Sequence, residues 1–261
     1  MDQVLFEREG QVEIITLNRP EILNSFTAEM LHSLSIRFEE LQQDDDTRAV
    51  LVTGTGRAFC AGADLVGAGG RDDVQTPAGM RLSTQLYSRV IRAIAGLEKP
   101  VIAAVNGDAA GAGCNFALAC DLIVASRNAR FIQIFVRRGL VADAGGTYFL
   151  PRLIGLSKAK ELMFSGEAIG GEQAFALGLA NKLVEPEKLM EESMELAHKL
   201  ACGPTRALGM IKKMLNRSFE SDLDTALEME AAMQGIAVST QDVVEGITCF
   251  LQKRRPEFKG R

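Results

Sequence analysis

The chain has 261 residues, 47% hydrophobic and 24% charged, with 25 glycines against 7 prolines. That composition excludes a fibrous or disordered protein and allows a substantial core in one large or two small domains. A net charge of −5 argues against nucleic-acid binding, although a local cationic patch could still serve an anionic ligand. The cysteines at 60, 114, 120, 202 and 249 form no C-x-x-C pair and accompany no histidine cluster. No metal site is therefore expected, and the thiols read as reduced core residues of a cytoplasmic protein. No secretory leader is read at the N-terminus, and no stretch approaches the roughly 20 apolar residues of a membrane span, so no membrane partner is expected.

Residues 4–8 and 11–17 are rich in strand formers and separated by Glu9 and Gly10, which predicts a hairpin. From Thr27 the apolar period changes: Leu31, Leu34, Phe38 and Leu41 recur at helical spacing, with Thr27 as N-cap and Asp44, Asp45 and Asp46 as a solvated stop. Runs at 49–52, 101–105 and 122–125 are apolar without alternation, the pattern of parallel strands covered on both faces. Helix-like segments between them make a repeated strand–loop–helix unit. Past about residue 186 the strands stop. Met190, Met194, Ala197 and Ala201 form one helical stripe, and Ala207, Leu208, Ile211, Met214 and Leu215 another, with Pro204 at a helix start. Two more helices are expected over 221–254. The overall reading is an α/β core over 1–195 and a helical assembly region over 196–261.

Two glycine-rich loops follow predicted strands, at 54–65 and 106–115. Small residues allow close approach of a ligand to backbone N–H groups, and the second loop would place its N–H groups at the positive end of a helix. Neither loop carries the third glycine of a dinucleotide fingerprint, and no phosphate loop or nucleophile elbow occurs. Glycine turns of this kind also serve as plain packing devices. Asp143, before Gly145 and Gly146, is a candidate acid–base group, although taken alone it reads first as an N-cap on a helix beginning near Ala144.

In combination these segments are specific. Ala58-Phe59-Cys60-Ala61-Gly62-Ala63-Asp64-Leu65, Lys99-Pro100 with Asn106-Gly107, Ala110-Gly111-Ala112-Gly113-Cys114 and Cys120-Asp121 resemble the enoyl-CoA hydratase/isomerase (crotonase) superfamily. Asn18-Arg19-Pro20 with Asn24-Ser25, Gly145-Gly146-Thr147 with Leu150-Pro151-Arg152, and the ending from Phe250 add to the resemblance, which spans the chain in order. It implies a spiral of ββα units with C-terminal helices that build a homotrimer, or a hexamer of two trimers. It further implies an acyl thioester substrate, with coenzyme A as part of that substrate and no permanently bound cofactor. The N–H groups of Ala63 and Ala112 would hold the thioester carbonyl and stabilise an enolate, an effect worth about 2.7–4 kcal/mol per donor. Contacts to coenzyme A would fall on Ala61, Ala63, Asp64, Leu65 and Val66, and on Phe250 and Lys253 of the last helix, which otherwise reads as an ordinary amphipathic helix.

The departures matter as much. At the positions where a family hydratase carries its two water-activating glutamates stand Asn115 and Phe135, neither of which can act as a carboxylate base. Asp143 matches a position that is aspartate in several isomerases of the family and in an aryl-CoA dehalogenase. The dehalogenase also needs a tryptophan and a nearby histidine; this chain has no tryptophan, and His32 and His198 lie away from the motifs. Within the family the chain most resembles the epoxyphenylacetyl-CoA isomerase branch. The expectation is an acyl-CoA isomerase in which Asp143 moves one proton, desolvated by Val141, Ala142 and Phe135. The alternatives are a hydratase with a nonstandard water site and a non-catalytic acyl-CoA binder. Residues 67–80 are expected to form a mobile lid.

Overall fold

The structure is a computed structural model that describes residues 2–64 and 76–261. Strands β1 (Val4–Glu9) and β2 (Val12–Leu17) pair antiparallel through a tight turn in which Gly10 takes a φ of 58°. Helix α1 (Ala28–Gln43) starts as expected: the Thr27 hydroxyl accepts the Met30 N–H at 3.1 Å, and the predicted stripe is buried. Strands β3 (Ala49–Gly54), β5 (Val101–Val105), β7 (Leu122–Ser126) and β10 (Lys182–Val184) extend the sheet in parallel, in the order β1-β2-β3-β5-β7-β10. A second sheet holds β4 (Ala58–Cys60), β6 (Asp108–Ala110), β8 (Arg130–Ile132) and β9 (Ala168–Gly170) in that order.

Each turn of the chain therefore places one strand in the first sheet, a short one in the second, and then a helix. These helices are α2 (Pro77–Gly96), α3 (Ala112–Ala119) and, after β8 and a 3-10 turn at Ile134–Arg138, α4 (Gly146–Ile154). This is the expected spiral of ββα units. Helices α5 (Leu156–Ser165) and α6 (Gly171–Ala176) lead into and out of β9. The unalternating apolarity of β3 and β5 has a direct cause. Val50, Val52, Val101 and Ala103 face the main core, while Leu51, Ile102 and Ala104 face a second cluster beneath α7 (Leu189–Ala201).

The division expected at 195/196 falls inside α7, which packs unbroken on the first sheet through Leu189, Ala197 and Ala201. The chain leaves the core only afterwards, in α8 (Thr205–Arg217), α9 (Leu223–Ala237) and α10 (Gln241–Gln252). Lys212 anchors α8 by donating to the carbonyls of Ile94 and Lys99 and pairing with Asp121 at 2.8 Å. The C-terminal tail folds back: buried Arg48 donates to the carbonyls of Phe258 and Gly203, and buried Asp242 accepts the N–H groups of Lys259 and Gly260. Ile211, Leu215, Leu227, Ile247 and Phe250 on these last helices remain exposed. Among the described residues no helix is long and apolar enough to cross a membrane.

The lid expected over 67–80 is in part corrected. Residues 76–80 open α2, with Thr76 capping the Gly79 N–H at 3.0 Å and Pro77 in the first turn, whereas 67–75 lie outside the described residues.

Candidate active site

Strands β4 and β6 pair in parallel, so the loops that leave them run side by side. Two glycines permit backbone contact between them. A Cβ on Gly62, whose φ is 95°, would fall 2.8 Å from the Ala110 oxygen and 3.4 Å from the Ala112 nitrogen. One on Gly113 would fall 2.2 Å from the Cys60 oxygen. Ala112 is thereby the first residue of α3, where the N–H lies at the positive helix end and has no intrahelical acceptor. Ala63 is bridged to Phe26, whose N–H and carbonyl are taken by the Gly62 carbonyl and the Asp64 N–H. Among the described residues nothing accepts the N–H of Ala63 or of Ala112. The two donors predicted from the loops are therefore both available.

The motif at 18–25 braces this arrangement. Leu23 and Asn24 take left-handed φ values of 56° and 57°. The buried Asn24 amide accepts the Arg19 N–H at 2.8 Å and donates to the carbonyls of Thr55 at 2.9 Å and Ala58 at 2.8 Å. Arg19 in turn reaches the Ser25 carbonyl and the Asp64 carboxylate. A cleft of about 330 Å³ opens over the two free donors, floored by 61–64 and by Gly111 and Ala112. Tyr87 and Thr84 of α2 form one wall, and Phe135, Arg138, Leu140 and Asp143 another.

Asp143 is not a helix cap. Helix α4 begins at Gly146 behind a left-handed Gly145, and Asp143 contributes only its backbone carbonyl, which accepts the Gly146 N–H at 3.0 Å. Its carboxylate is free to face the cleft, and Oδ1 is buried with no hydrogen-bond partner among the described residues. Burial raises the carboxyl from its ordinary 3.8 to about 6, against a smaller opposing pull from its own backbone N–H. The groups expected to desolvate it are borne out in part. Val141 is 86% exposed and turns to solvent, whereas Phe135 lines the cleft. Tyr87 went unrecognised in the sequence, because with Val90, Ile91 and Ile94 it reads as an ordinary buried helix face. Burial first, and then the charge of Asp143, push its hydroxyl upward.

A family model described as enoyl-CoA hydratase/isomerase matches residues 7–261. The chain belongs to the enoyl-CoA hydratase/isomerase family. It is 41% identical over 266 residues to a 1,2-epoxyphenylacetyl-CoA isomerase of Escherichia coli K12, covering 100% of both chains. It is 39% identical to a short-chain-enoyl-CoA hydratase of Clostridium acetobutylicum, covering 100% of this chain and 99% of the relative. The crystal structure of an enoyl-CoA hydratase from Bacillus anthracis superposes with a TM-score of 0.94 at 33% identity, covering 100% of both. The crotonase fold is thus shared, while relatives of similar identity carry names from both chemistries.

At the two positions where the resemblance expects a hydratase's glutamates stand Asn115 and Phe135. Asn115 is fully buried and engaged on both ends of its amide, and Phe135 is an apolar wall. Asp64, the other acid lining the cleft among the described residues, is paired with Arg19 at 3.0 Å. Of the residues predicted to touch coenzyme A, Ala61, Ala63 and Asp64 line the cleft, and Leu65 and Val66 lie outside the described residues. Phe250 and Lys253 do not line it. Phe250 is 82% exposed on α10, and Lys253 comes next as the left-handed C-cap, so the chain does not bring them to its own cleft.

Proposed function

We propose that the protein is an acyl-CoA isomerase in which Asp143 performs the proton transfer. One observation carries the reading: among the described residues an unpaired, desolvated carboxylate shares a cleft with two free N–H donors, while the two hydratase glutamate positions hold Asn115 and Phe135. With the thioester oxygen on the N–H groups of Ala63 and Ala112, Asp143 would remove a proton from a carbon conjugated with or next to the carbonyl. The resulting negative charge moves onto the oxygen, where both donors and the end of α3 meet it. Asp143, now protonated, returns the proton to a different carbon, and nothing is added to the substrate. A base raised to about 6 suits both halves of this exchange near neutral pH.

The acyl groups favoured are an enoyl chain, whose double bond would migrate, and epoxyphenylacetyl, whose ring epoxide would rearrange. The similarity to the E. coli isomerase supports the second. Coenzyme A would pass over 61–66. Since Phe250 and Lys253 do not line this cleft, they would serve the site of a neighbouring subunit in a trimer or hexamer, and the exposed apolar side chains of α8, α9 and α10 fit such an assembly. A panel of enoyl-CoA and epoxyphenylacetyl-CoA thioesters, read by product mass and double-bond position, tests the proposal. Products of unchanged mass are expected. A gain of one water across the panel would establish hydration instead.

A further inference from the structure

Asn115 occupies the first glutamate position, yet it does not present a polar group to the cleft. It lies fully buried in the first turn of α3. Its Nδ2 donates to the backbone carbonyl of Asp143 at 2.8 Å, and its Oδ1 accepts from Nε2 of Gln133, itself only 3% exposed, at 2.7 Å. Both contacts demand the same amide orientation, because the carbonyl of Asp143 can only accept and the NH2 of Gln133 donates. The Asp143 carbonyl also takes the Gly146 N–H at 3.0 Å, so both of its acceptor directions are filled and its peptide plane is held.

The backbone just past that plane is strained. Ala144 and Gly145 are successively left-handed, with φ of 47° and 77°. An alanine adopts that conformation only against steric cost, so the surroundings must over-determine it. Gly146 shows how closely the amide is fitted, since a Cβ there would fall 2.3 Å from Asn115 Nδ2.

We infer that Asn115, backed by Gln133, is a positioning residue that clamps the loop carrying Asp143 and so keeps its carboxylate dry and aimed into the cleft. A glutamate or aspartate could not replace it, because an ionised carboxylate cannot donate to the Asp143 carbonyl and would set a second negative charge behind the base. The inference rests on the reading of Asp143 as base, and its test separates the two.

Among the described residues the other titratable or charged groups lining the cleft are Tyr87 from α2, Asp64 and Arg19 from the first ββα turn, and Arg138 from the 3-10 turn. The experiment titrates the Asp143 carboxyl by 13C NMR in the wild type, Asn115→Ala, Asn115→Asp and Gln133→Met, alongside the pH dependence of kcat/KM. In Asn115→Ala the midpoint should fall from about 6 toward 3.8 as water reaches the carboxylate. The acid limb of kcat/KM should shift with it, with a rate loss of about 10- to 100-fold from the misplaced base. Asn115→Asp should lose rate likewise, because its ionised carboxylate cannot donate to the Asp143 carbonyl. Gln133→Met, which leaves Asn115 in place, should give a smaller downward move, and it serves if the residue 115 variants do not fold. A midpoint unchanged in folded variants that merely melt earlier would overturn the inference and reduce Asn115 to a fold contact. Retained isomerisation in Asp143→Asn would instead remove the catalytic reading, and the NMR midpoints would still decide whether Asn115 clamps the loop.

Discussion

Replacing Asp143 with asparagine should slow isomerisation and, at the same time, stabilise the protein at neutral pH. Burial lifts the carboxyl from 3.8 to about 6. A folded-state value above the unfolded one means that the group's favourable contribution is complete below the lower value and is lost as pH rises through the upper one. Above about pH 6 the fold therefore carries an ionised carboxylate at a cost of about 3 kcal/mol, from 1.36 kcal/mol per pKa unit. Asparagine has nearly the same volume and no charge at any pH. Relative to the wild type, the variant should gain roughly 2–3 kcal/mol between acid and neutral pH, the lower figure allowing for solvent reaching the cleft. At about 2–4 °C per kcal/mol for a chain near this size, the difference in Tm should open by several degrees. Turnover should fall by about 10²- to 10⁴-fold, the usual worth of a positioned acid–base group. Thermal unfolding of both proteins across the acid-to-neutral range, with double-bond migration and solvent-deuterium exchange on the same samples, measures both effects. A stability difference that stays flat with pH would refute the burial argument, and near-normal turnover would refute the catalytic one.

Gly113→Ala would place a methyl 2.2 Å from the Cys60 oxygen and force the two donor loops apart. A loss in kcat/KM of about 10²- to 10³-fold, like that of removing one donor, is expected in steady-state assays. Unchanged kinetics would show that the close approach is dispensable. Asn24→Ala removes three hydrogen bonds of 2.8–2.9 Å from a fully buried site and leaves a non-glycine left-handed residue. A destabilisation of about 3–5 kcal/mol should appear in urea unfolding. Ending the chain at residue 255 strips partners from buried Arg48 and Asp242, so the amides of α10 should exchange with solvent far sooner while those of β3 and β5 keep their protection.

Much of the fold was legible because its signals are local. The Thr27 cap needs only a hydroxyl three residues before an N–H. The runs at 49–52 and 101–105 announce burial on both faces by lacking polar residues, as β3 and β5 then show. The two alanines proposed as the oxyanion pair were also legible, since the glycines beside them declare a close approach. Other features were not. Asp before a glycine pair reads as a cap, yet two left-handed residues delay α4 to Gly146 and release the side chain. Val141 lies two residues from Asp143 in sequence but turns to solvent, while Tyr87 reaches the cleft from a helix far away in sequence.

Residue type and order by themselves determined the strand–helix sequence, the family, and the absence of carboxylates at 115 and 135. Only the tertiary structure decided which polar atoms are already satisfied and which are free. Asn115 is spent on a backbone carbonyl, Asp64 on Arg19, and Phe250 and Lys253 do not line the cleft, whereas two N–H groups and one Asp143 oxygen are left without partners among the described residues. Hydrogen-bond satisfaction and desolvation depend on atoms brought together from distant parts of the chain, and they separate a reactive carboxylate from an ordinary one.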